Sequence, residues 1–129
     1  KLFSEINAYQ TGSIDPGLIV AEGKLVKGVT MEQAEQAIDE EISKIAGNLI
    51  DELELTKVKN RVESQIIFSE TELLNKAMNL ANYELLGDAA MVNEEAAQYL
   101  KTSARDIQEQ AQKIFIKENC SVLYYHADN

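Results

Sequence analysis

Two short stretches near the start of the chain alternate as strands do. Phe3 to Gln10 sets Ile6, Ala8 and Tyr9 among polar residues. Leu18 to Leu25 places Ile19, Ala21, Gly23 and Leu25 on one face at period two. Thr11 to Gly17 joins them, and its Asp15-Pro16-Gly17 is turn chemistry: Pro16 presets φ, and Gly17 tolerates positive φ. The pattern predicts a hairpin of strands over 3–10 and 18–25 with a mobile loop. Gly23 inside the second strand predicts a bulge or a close backbone approach.

After a link carrying Gly28 the period lengthens. Thr30-Met31-Glu32-Gln33 is a capping box, in which the Thr30 hydroxyl takes the Gln33 amide and Gln33 reaches back. Met31, Ala34, Ile38, Ile42, Ile45 and Leu49 then recur at three and four. This predicts a helix over 31–47, stopped by Gly47-Asn48, with Glu32, Glu35, Asp39, Glu40 and Lys44 on its other face. Asp51, with Glu54 three residues on, opens a second helical stretch. Leu55, Val58, Val62 and Ile66 lead into Leu73, Ala77, Leu80 and Ala81, with no Gly or Pro before Gly87. One helix over 51–86, or two helices breaking near Ser69-Glu70-Thr71, both fit. Further helices are predicted over 93–101 and over 104–117, the latter capped at Ser103-Ala104-Arg105-Asp106 with Ile107, Ala111 and Ile114 inward. Residues 120–126, with Val122, Leu123, Tyr124 and Tyr125, favour a final strand that returns to the sheet. The order predicts an α+β fold in one domain: an antiparallel or mixed sheet covered on one face by helices.

Composition bounds what such a chain does. It has 129 residues, 45% hydrophobic and 26% charged, so it is not a disordered segment. Size scaling predicts that about two-thirds of the unfolded surface is buried, enough for one ordinary core. A net charge of −10, from 22 acidic and 12 basic residues, repels phosphate backbones and anionic lipid, which argues against nucleic-acid and membrane partners. No apolar run is long enough to span a bilayer. No signal peptide is visible. The sequence starts at Lys1 and is strand-like within a few residues, as expected of a piece of a longer protein. The bacterial cytoplasm and periplasm both fit a soluble chain of this kind.

Chemistry is sparse. A zinc site needs three or four His, Cys or carboxylate ligands. The chain has one His, His126, and one Cys, Cys120. Six residues apart on a strand, they stand roughly 20 Å from each other. Asp128 is nearer to His126, but HxxEH, CxxC and HxH are all absent from the sequence. Cys120 reads as a small buried hydrophobe, and His126 as a solvated strand end. No GxSxG elbow or phosphate loop is present. The paired carboxylates Glu40-Glu41, Glu52 with Glu54, Glu70 with Glu72, and Glu94-Glu95 read as solvated helix faces or helix starts. Glu63-Ser64 and Glu70 fall within a predicted helix. Strand tyrosines pack with their hydroxyls at the rim, and Tyr9 is the one candidate for contact with a substrate.

The order of these phrases resembles a known family. Asn7-Ala8-Tyr9-Gln10 and Ser13-Ile14-Asp15-Pro16-Gly17-Leu18 are followed by Thr30-xx-Gln33, then Glu52-Leu53-xxx-Lys57. Next come Ala81-xx-Glu84-Leu85-Leu86-Gly87-Asp88, Thr102-Ser103-Ala104-xx-Ile107-xxx-Ala111-xxx-Phe115, and Ser121-Val122-Leu123-Tyr124-Tyr125. Together they are similar to the C-terminal, non-catalytic half of pitrilysin/insulinase-type zinc metallopeptidases, the mitochondrial processing peptidase among them. The resemblance runs from about Phe3 to His126. It implies one half of a clamshell, shortened at its N-terminus. Zinc and catalysis are expected in a partner half, on the same chain or another subunit, and this portion is expected to close the chamber and bind extended peptide. The family's substrate-reaching Arg and Tyr fall upstream of Lys1 or near Phe3, so no functional residue carries over. Glu52-Leu53 and Lys57 match a helix start. A proteolytically inactive subunit or interaction module of the same fold is the alternative. An independent hydrolase built on His126 is the weakest reading. An exposed sheet edge is also expected, where upstream strands would pair.

Overall fold

The computed structural model describes residues 1–12 and 15–126. Ser13 and Ile14 of the predicted loop, and Asp128, lie outside the described residues. The elements are β1 (Phe3–Gln10), β2 (Ile19–Leu25), α1 (Met31–Gly47), α2 (Glu52–Ser69), α3 (Leu73–Leu85), a 3-10 turn (Ala89–Glu94), α4 (Glu95–Lys101), α5 (Ala104–Ile114) and a short 3-10 turn (Lys117–Asn119). The fold is α+β with an antiparallel sheet. It divides into two compact units, Lys1–Gly47 together with residues from Ala111 onward, and Asn48–Gln110.

In the first unit β1 and β2 pair antiparallel, Ala8 facing Ala21 and Tyr9 facing Val20. Thr11 closes the hairpin. Its N–H donates to the Leu18 carbonyl at 2.9 Å, and the Leu18 N–H donates to the Thr11 hydroxyl at 2.8 Å. Gly17 earns its place by close approach, not by positive φ: an added Cβ would stand 2.4 Å from Thr11 Oγ1. The register slips between Phe3 and Glu5, where the Ser4 hydroxyl donates to the Lys24 carbonyl. Gly23 allows the Phe3 ring to lie over its backbone, since a Cβ there would meet the ring at 2.6 Å. Gly28, at φ 92°, turns the chain toward α1. The capping box forms as the spacing predicts: Gln33 N–H donates to Thr30 Oγ1 at 3.3 Å and Thr30 N–H to Gln33 Oε1 at 3.1 Å. Where α5 ends, the Gln112 side chain donates to the Ala46 carbonyl at 2.8 Å.

The expected strand over 120–126 does not form a ladder. Cys120 is extended, at φ −96° and ψ 137°, yet no backbone hydrogen bond joins residues 121–126 to another described element. β propensity sets the backbone shape, but a strand also needs a neighbouring strand to pair with.

In the second unit Asp51 caps α2 by accepting from Leu53 N–H at 3.2 Å. The return bond from Glu54 is not formed among the described residues. The stretch predicted over 51–86 is two helices. At the break the Ser69 and Thr71 hydroxyls donate to the Ile66 and Phe68 carbonyls at 2.8 and 2.7 Å, satisfying groups that a continuing helix would have used. Gly87 ends α3 at φ 118°, with Asp88 N–H returning to the Tyr83 carbonyl at 3.1 Å. The helix predicted over 93–101 begins instead as the 3-10 turn, capped by Asp88 on Ala90 N–H at 2.8 Å. α2 packs on α4, and Lys59 Nζ donates to the Leu100 carbonyl at 2.8 Å. Ser103 and Asp106 form a reciprocal cap on α5, which stops at Ile114 rather than near 117.

The core is thin. Buried hydrophobic residues among those described are Ala34, Leu55, Ala104 and Ala111. The apolar stripe of α3 is largely uncovered. The half-buried positions of this helix are Asn75, Asn79 and Tyr83, while Leu73, Leu74, Met78 and Leu85 are exposed. Among the described residues no helix is long and apolar enough to cross a membrane.

Candidate functional site

The chemistry-bearing residues gather mainly in the first unit, along α1. Its capping box fixes the start of the helix, and helical spacing then places Glu32, Glu35, Asp39 and Glu40 beside a shallow groove shared with Gln36 and Lys44. The segment 120–126 runs beside this face. The Tyr124 hydroxyl donates to the Glu35 carboxylate. That hydrogen bond, loss of hydration and the charges of Glu35, Glu32 and Asp39 push the phenol up to about 12. Glu32 is held below the usual carboxylate range by its own backbone N–H and the Thr30 hydroxyl, with a further contribution from the charge of His126. Lys44 is pulled up by its 2.6 Å bond to Glu41.

His126, on the same segment, is exposed. Cys120 is an exposed free thiol, not the buried hydrophobe its residue type suggested. Among the described residues no three His, Cys, Asp or Glu side chains converge as metal ligands do. The donor set does not fit zinc, and no step of a zinc mechanism is assigned to these residues.

Tyr9 lies near the end of β1, 47% exposed and opposite Val20. It stands with Ile6 and Ile19 among the exposed apolar residues of the hairpin. The paired carboxylates Glu40-Glu41, Glu52 with Glu54 and Glu70 with Glu72 are exposed, and Glu70 sits at the end of α2. Glu63 is half-buried. In the second unit Glu95 is half-buried beside Tyr83, whose hydroxyl is pushed up by burial and then by that carboxylate. Asp106 is held low by the Ser103 hydroxyl and N–H, with a smaller contribution from Lys59.

The Tyr124–Glu35 pairing escaped the sequence reading, because the two residues are 89 positions apart. The acidic face of α1 was visible in the helical spacing. What the sequence does not carry is the path of residues 120–126 beside it.

No family model and no curated protein matches the chain. Solved structures do. A protease from Helicobacter pylori matches at a TM-score of 0.78 and 18% identity, over 87% of this chain and 27% of its own. A proposed zinc protease from Bordetella pertussis Tohama I matches at 0.78 and 17% identity, over 92% of this chain and 65% of its own. At these identities the likeness is one of fold. The chain spans about a quarter of the first protein and just under two-thirds of the second.

Proposed function

We propose that this chain is a non-catalytic, peptide-binding portion of a zinc-dependent endopeptidase of the pitrilysin/insulinase type, and that it closes a chamber whose zinc site lies on another half. The fold match to parts of two proteases is the observation that carries this reading. One other feature agrees with it: many apolar side chains are exposed, as on a surface that another protein surface covers. A wall without a metal still contributes to catalysis, because it holds an extended substrate in place and excludes water from a site opposite. Tyr9, at the exposed end of the hairpin, is a candidate contact for such a substrate.

The alternative is an inactive subunit or interaction module of the same fold, for which the exposed apolar surface is also suited. The coding sequence and the isolated chain separate the readings. We expect HxxEH and a distant Glu in the partner half, with no stoichiometric zinc and no peptide cleavage in the chain alone. Micromolar or tighter zinc binding by the chain would overturn the assignment. A parent and neighbouring genes without HxxEH would favour the inactive module.

A further inference from the structure

We draw no further inference here: the strongest candidate, the open acidic groove along α1 beside Glu32, Glu35, Asp39 and Glu40, belongs to the site already described, and beyond the carboxylates themselves nothing among the described residues points to a ligand there.

Discussion

Replacing Leu55 by Ala isolates the side chain on which the thin core depends most. Leu55 is 4% exposed, and the other buried hydrophobic residues described are alanines. The substitution removes three carbons, about 2.4 kcal/mol of transfer free energy at ~0.8 kcal/mol each. The cavity that remains raises the cost to about 3 kcal/mol. Leu73, a residue of the same type on α3, is 87% exposed, and Leu73→Ala should change stability by under about 0.5 kcal/mol. Urea unfolding followed by far-UV circular dichroism reads both. With a slope of about 2 kcal/mol/M, Leu55→Ala should lower the midpoint by roughly 1.5 M and Leu73→Ala by less than roughly 0.3 M. Loss of a cooperative transition in Leu55→Ala alone would carry the same meaning. Equal shifts in the two variants would refute the reasoning, because burial would then not distinguish the two sites.

Other substitutions probe single joints. Thr30→Ala should cost about 1 kcal/mol by removing the cap on α1, with Thr30→Ser restoring most of it in the same urea assay. Gly87→Ala places a Cβ at φ 118° and should cost about 1 kcal/mol, with the loss of order showing as faster amide exchange at the end of α3. Tyr124 is raised in the folded state, so its clasp on Glu35 is present below pH 10 and lost as pH rises from there to about 12. Phenolate absorbance should show a late-titrating component, to which Tyr83 also contributes, that shrinks by one tyrosine in Tyr124→Phe. Asp106 is lowered in the folded state, so its contribution is present above the usual Asp range and is lost as pH falls through the depressed value. Asp106→Asn should flatten the acid limb of stability against pH.

Local chemistry was legible because it is local. Thr30 with Gln33, Ser103 with Asp106, and Gly87 after α3 act within one turn of backbone, and each formed where its spacing placed it. Gly17 was legible as a turn residue but for the wrong reason. Its need comes from Thr11 across the loop, which no local rule contains. The break after Ser69 stood among two alternatives, because hydroxyls at 69 and 71 suit a helix end and a solvated helix face alike.

Hydrophobic pattern failed in a more instructive way. A stripe such as Leu73, Ala77, Leu80 and Ala81 says that a face wants burial; it does not say that this chain supplies the cover. In α1 the stripe is covered over its first turns, with Ala34 buried and Ile38 half-buried. In α3 the apolar side is open and the half-buried side carries Asn75 and Asn79. Residues 121–126 repeat the case at period two, with a strand's alternation and no ladder. The mismatch between pattern and burial is therefore itself positional information. Where the two agree, the chain packs on itself. Where they part, as on α3, the stripe marks a face left open to a partner surface: on the reading proposed above, amine labelling of Lys76 on α3 should be slower in the assembled parent than in this chain while Lys44 in the acidic groove of α1 labels alike in both, and equal labelling of Lys76 in the two would refute it.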